Sequence, residues 1–170
     1  GNDGDFSEKA FINRINSDLS NNLGNLIQRV VKFLNKNFDN VVPIYVKDFS
    51  KETIQIKKGY ELIKDVRKIM RNFQISKSLE EIFFYIDNLN KFMNDSKPWE
   101  SFKNNPDKAG KDISILIESF RILGIILQPF IPLASKNILD ILPNLILPFL
   151  LFLMFSRMHK QLSRHGISST

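Results

Sequence analysis

Asn25 and Arg29 stand four residues apart in the run Leu23-Gly24-Asn25-Leu26-Ile27-Gln28-Arg29. On a helix they lie one turn apart and about 40° around the axis, outside the apolar stripe, so an amide and a guanidinium share an accessible flank. A second run, Lys97-Pro98-Trp99-Glu100-Ser101-Phe102-Lys103, holds the only Trp of the chain, just after a Pro and near a helix start. Amide, guanidinium and indole together suit an unstacked RNA base. The ring stacks on the base, while amide and guanidinium bond to its pairing edge or to phosphate. Stacking one base is worth about 1–3 kcal/mol. Each residue also has a plainer reading, Asn25 and Arg29 as surface residues of a helix flank and Trp99 as a bundle anchor. Residue types alone leave that choice open.

Other chemistries find few residues to use. There is no Cys, which excludes disulfides, thiolate metal sites and thiol catalysis, and is compatible with the cytosol. The two His residues, His159 and His165, sit near the end without an acidic partner at metal-ligand spacing. Gly24, Gly59, Gly110 and Gly124 are isolated, so no phosphate-cradling loop is expected, and no Ser elbow flanked by glycines is present. Glu80-Glu81 reads as a solvated pair on an exposed helix face. The expectation is no catalytic, metal-binding or cofactor-binding residue in the chain. A net charge of +6 and a pI near 9.5 favour polyanionic partners without choosing between RNA, DNA and a membrane surface.

The elements that must position these residues read as helices throughout. Asp5-Phe6-Ser7-Glu8 makes a helix start with Ser7 as N-cap. Phe11, Ile12, Ile15, Leu19, Leu23, Leu26, Ile27, Val30, Val31 and Leu34 form one stripe on a helix of roughly 30 residues. Residues 39–50, with Val42-Pro43, read as a connection. A second helix is predicted over about 52–73, with Ile56, Tyr60, Ile63, Val66, Ile69, Met70 and Phe73 inward and Lys57, Lys58, Lys64, Lys68 and Arg71 outward. Ser78 followed by Glu81 suggests a capping box opening a third helix through Phe92, with Leu79, Ile82, Phe83, Ile86 and Leu89 inward. A bend or short helical turns follow over 94–110. A fourth helix is predicted from about Asp112 to Leu127, and Pro129 and Pro132 break it before a short helix reaching Leu142. No stretch alternates with period two, so the fold class is all-α, an antiparallel bundle of about five helices. Residues 1–142 form this bundle, and 143–170 form a hydrophobic and then basic tail. From Ile138 to Phe155 only Asp140 and Asn144 are polar, a stretch short for a membrane span and interrupted by Pro143 and Pro148.

The run from Gly1 to Arg29 resembles the start of the anticodon-binding domain of methionyl-tRNA synthetases. The correspondence takes in Asp3, Phe6 and Ser7, the Arg14-x-Asn16-x-Asp18-Leu19 pattern, and Gly24-Asn25-Leu26 with Arg29. Pro98, Trp99 and Lys103 match the family's Pro-Trp-x-x-x-Lys element, and Arg121, Leu127, Pro129, Phe130, Ile131 and Pro132 match its later Leu-rich turn and Pro-Phe-x-Pro. The resemblance covers residues 1–142 in order and spacing, and implies the bundle type of the class I synthetase anticodon-binding domain. It implies a transfer RNA bearing a CAU anticodon as partner, with Trp99 as stacking platform and Asn25 and Arg29 as the hydrogen-bonding pair. Lys103 sits where the family has a basic residue beside the Trp. Arg14, Asn16 and Asp18 are read as packing or domain-docking residues.

The catalytic signatures of that family, HIGH and KMSKS, do not occur in these 170 residues. The resemblance therefore implies the C-terminal part of a ligase joining methionine to its transfer RNA with ATP, the nucleotide binding to a catalytic domain elsewhere, separate or formerly fused. It implies a cytoplasmic location and no catalysis by this chain alone. A start at Gly1 without a basic or apolar leader is read as a fragment with no secretory signal. The tail beyond Leu142 departs from the family's ending. The alternative readings are a non-functional relic of a truncated synthetase gene and a helical adaptor lying on a membrane through Ile138–Phe155.

Overall fold

A computed structural model describes residues 15, 17, 19–42 and 53–142 of the chain. The expected cap at Ser7, Phe11 and Ile12 of the first stripe, the side chains of Arg14, Asn16, Asp18 and Leu19, most of the 39–50 connection, His159, His165 and the tail lie outside the described residues. Helices account for nearly all that is described. A π-helical turn, Leu19–Gly24, leads into α1, Asn25–Phe38. Then follow α2, Ile54–Arg71, α3, Ile75–Ser96, the single turn α4, Pro98–Ser101, and α5, Pro106–Ile126. The last, α6, runs over 132–142. An all-α bundle of about this helix number is the expected architecture.

α5 is the axis. Residues Ile113 to Ile117 in succession, together with Phe120, Ile122, Leu123 and Ile126, are buried, so this helix is covered over most of its circumference, with Glu118 and Arg121 left on a narrow polar edge. It touches α1, α2, α3 and α4. Its start is well specified: the Asn105 side chain accepts from the Lys108 backbone N–H at 2.9 Å, Pro106 occupies the first position and Asp107 the first turn. These signals place the start six residues before the expected Asp112.

α1 packs Leu26, Val30, Phe33 and Leu34 inward, and upstream both Ile15 and Leu23 are buried. In α2 the inward face is Ile56, Gly59, Leu62 and Val66, with Tyr60, Ile63 and Met70 half-buried at its edge. Phe73, expected inward, is 89% exposed. The helix ends at Arg71, and Phe73 closes the turn into α3 with φ 56°, its N–H donating to the Met70 carbonyl at 3.0 Å. That left-handed residue swings its side chain off the stripe. The capping box at Ser78 is also corrected. α3 already begins at Ile75, and the buried Ser78 hydroxyl donates back to the Gln74 carbonyl at 3.1 Å. Leu79, Ile82, Ile86 and Leu89 are buried as expected and Phe83 half-buried, while Glu80 and Glu81 are exposed.

A polar clamp joins α2 to α5. The Glu118 carboxylate takes Arg121 Nη2 and Nε at 2.7 and 2.8 Å, and the Tyr60 hydroxyl donates to the same carboxylate at 3.0 Å. The bond to Glu118 holds the Arg121 guanidinium protonated far above its ordinary range, and burial, with Glu118 second, raises the Tyr60 hydroxyl. Arg121, one of the residues carrying the resemblance, thus fastens two helices together. Among the described residues no helix is long and apolar enough to cross a membrane.

Candidate functional site

The corner after α3 builds the site. Lys97 takes φ 42°, ψ 62°, ends α3 and at once becomes the cap of α4. Its N–H donates to the Met93 carbonyl at 3.3 Å, and its own carbonyl accepts from Glu100 and Ser101 at 2.9 and 3.1 Å. Pro98, with φ preset by its ring, opens α4 and is buried. Trp99 follows, held at the surface with 41% of its area exposed. A ring of this size standing that far out of a bundle presents a face that its own fold does not consume.

Arg29 reaches this face from α1. Its guanidinium carbon lies 5.6 Å from the Trp99 ring centroid, within cation–π range. Its Nη2 donates to Asn94 Oδ1 at 2.8 Å. Asn25 is one turn earlier and exposed. Its Nδ2 donates to the Asn21 carbonyl at 2.7 Å, which leaves Oδ1 turned to solvent as an acceptor. Beneath the pair, Phe33, Phe38 and Phe102 meet edge-on or tilted, with centroids 5.2 to 6.0 Å apart. This aromatic knot ties α1 to the turn after α4 and fixes the spacing between Arg29 and Trp99.

The result is an open groove of about 420 Å³ lined by Arg29, Trp99 and Lys103, with Phe33, Met93 and Phe102 as its apolar floor. Lys32, Lys36 and Asn37 complete the lining, and Lys32 and Lys36 are exposed. Of the residues singled out by sequence, Arg29, Trp99 and Lys103 come together here, although Arg29 and Trp99 belong to distant parts of the chain. Asn25 lies outside the lining, on the same helix one turn away. Lys32, Lys36, Asn94 and Phe102 were not foreseen. Lys32 and Lys36 follow Arg29 at three and seven residues, a helical spacing that could have revealed them. Asn94 carries no local signal, because its contact spans 65 residues of sequence. The arrangement can stack a planar ring on Trp99, donate from Arg29 to a polar edge and surround an anion with lysines.

Residues 42–145 match the family model described as the anticodon binding domain of methionyl tRNA ligase. Residues 1–31 match the model of class I tRNA synthetases (M). The chain is similar to the methionine-tRNA ligase of Caldanaerobacter subterraneus subsp. tengcongensis, 38% identical over 145 residues, covering 82% of this chain and 22% of that protein. Against the methionine-tRNA ligase of Rickettsia felis it is 36% identical over 149 residues, covering 82% and 28%. The crystal structure of the apo methionyl-tRNA synthetase of Mycobacterium tuberculosis superposes with a TM-score of 0.69 at 28% identity, over 79% of this chain and 28% of that one. The chain spans less than a third of the length of these relatives.

Proposed function

The chain belongs to the family of methionyl tRNA ligase anticodon-binding domains, and from that premise we propose that it reads a transfer RNA anticodon, with CAU as the preferred triplet. Trp99 is the stacking platform for one unpaired base. Arg29 and Asn25 supply the donor and acceptor edge, and Lys103 neutralises backbone charge beside the Trp. In the cell this work belongs to a longer, cytoplasmic ligase that joins methionine to its transfer RNA at the expense of ATP, with nucleotide and amino acid bound outside this chain.

The observation that carries the reading is the Arg29 guanidinium over an exposed Trp99 ring in a lysine-flanked groove. A buried Trp, or an Arg turned away from it, would have left only a helical bundle with a family likeness. The test compares filter binding of RNA stem-loops differing only in the anticodon. The CAU loop is expected to bind best. Trp99→Ala is expected to weaken it by about tenfold or more, since one stacked base is worth about 1–3 kcal/mol. Arg29→Ala is expected to remove the preference for CAU. Equal affinity for CAU and unrelated loops in the unmutated chain would sink the proposal.

A further inference from the structure

We propose that Asn94 is a positioning residue for anticodon reading. It holds the Arg29 guanidinium over Trp99 by a bond that leaves the full positive charge free for the ligand. The inference rests on the reading above and adds a residue that no sequence pattern marks.

The bond itself is unambiguous in direction. Arg is a donor only, so the Asn94 atom facing Nη2 at 2.8 Å is the carbonyl oxygen. Asn94 lies in the last turn of α3, Ile75–Ser96, and Trp99 is the second residue of α4, Pro98–Ser101. The two partners of Arg29 therefore stand on one corner, whose backbone is pinned by the bonds around Lys97. The π-helical turn that leads into α1 is keyed to α3 by side-chain bonds further along the same seam. Asn22 Nδ2 donates to Asp87 Oδ1 at 3.2 Å, and Asn90 Nδ2 to the Asn22 carbonyl at 3.4 Å. Guanidinium, ring and amide are thus set by the docking of two helices and not by the free rotamers of a surface Arg.

The chemistry of the partner is the second argument. The same chain shows how an arginine is used as a fastener: Arg121 is chelated by the Glu118 carboxylate at 2.7 and 2.8 Å, and its charge is met by that carboxylate. Arg29 has an amide instead, and among the described residues no carboxylate pairs with it. An amide oxygen takes one of the five guanidinium N–H groups and cancels none of its charge. The side chain is oriented before the ligand arrives, so less rotamer freedom is lost on binding, while its remaining donors and its charge stay available.

The experiment uses the full chain with Asn94→Ala, Arg29→Ala and the double substitution, and stem-loops bearing CAU or an unrelated anticodon. Asn94 is exposed, so Asn94→Ala is expected to keep the melting temperature. It is expected to weaken the CAU loop about five- to tenfold, the scale of one ordinary net hydrogen bond because Asn94 acts only through Arg29, and to leave the unrelated loop unchanged. In the Arg29→Ala background the same change is expected to do nothing more, because Asn94 acts through Arg29. Trp99 is the sole tryptophan, so its emission without RNA reports the guanidinium directly, and Asn94→Ala is expected to shift it toward the Arg29→Ala spectrum. Unchanged emission, unchanged CAU affinity, an equal loss on both loops, or a further loss in the Arg29→Ala background would each overturn the inference. If the unmutated chain shows no preference for CAU, the anticodon reading falls, and the RNA-free emission alone decides whether Asn94 holds Arg29.

Discussion

Lys97 is an L-residue in the left-handed region, with φ 42°, at the one corner the site depends on. Glycine occupies that region without steric cost, whereas other residues are disfavoured there by about 1–2 kcal/mol. Its Nζ pairs with Glu100 at 3.2 Å, but both side chains are more than half exposed, so that contact adds little. Lys97→Gly should therefore raise stability by about 0.5–1 kcal/mol, after the greater freedom of an unfolded glycine is set against the relieved backbone. Thermal melting is the measurement, and RNA binding should be unaffected. Tyr85 offers a test in pH. Burial pushes its hydroxyl up to about 12 from 10.0, and that hydroxyl donates to the Gln55 carbonyl at 3.0 Å. The folded chain keeps the proton where the unfolded chain has lost it, so the contribution is complete below pH 10 and disappears as pH rises toward 12. Tyr85→Phe should cost about 1 kcal/mol at pH 7. The gap between the two melting curves should narrow across that alkaline window.

At the scale of elements, α2 and α3 meet at a glycine. A Cβ on Gly59 would lie 2.6 Å from the Tyr85 hydroxyl and 3.0 Å from Ile122 Cδ1, against a buried aromatic ring. Helix propensity alone would make Gly59→Ala favourable by about 1 kcal/mol. The overlap costs about 1–3 kcal/mol and displaces the bond to Gln55, so the net effect should be destabilising, as chemical denaturation would show. The stripes of α1 and α3 were readable in the sequence because Leu26, Val30 and Leu34, or Ile82, Ile86 and Leu89, repeat at three and four. Phe73 defeated the same count, since it follows Met70 by three while a left-handed turn that phenylalanine does not advertise ends the helix first. Ser78 and Glu81 have the spacing of a capping box, and a mid-helix serine bonded back to a carbonyl has that spacing too. Arg29 and Trp99 were legible as residue types in their own runs. What joins them, the Phe33–Phe38–Phe102 knot and Asn94, exists only once α1 meets the corner between α3 and α4.

For the molecule as a whole, part of the positive charge behind the +6 balance is gathered at one place. Arg29, Lys32, Lys36 and Lys103 surround one groove, where counterion release would make RNA affinity fall with salt by about 0.7 in the logarithm per phosphate contacted. Replacing Lys32 and Lys36 by Gln should flatten that dependence by about one such contact or two, while leaving the order of preference among anticodons intact. Titrations at several salt concentrations would separate this from the loss of preference expected at Arg29. The π-helical turn Leu19–Gly24 bears on the same whole. Ile15 and Leu23 are both buried although eight residues apart, a spacing that on a regular α-helix drifts about 80° around the axis. One surplus residue in the turn reduces the effective spacing to seven and returns the two side chains to one line. The turn therefore works as a vernier between Ile15 and the helix that carries Asn25 and Arg29. Removing a single residue there is expected to leave Asn25, Arg29 and Trp99 in place and to turn Ile15 by about 100° relative to Leu23, so the register between these two buried side chains is held in those six residues.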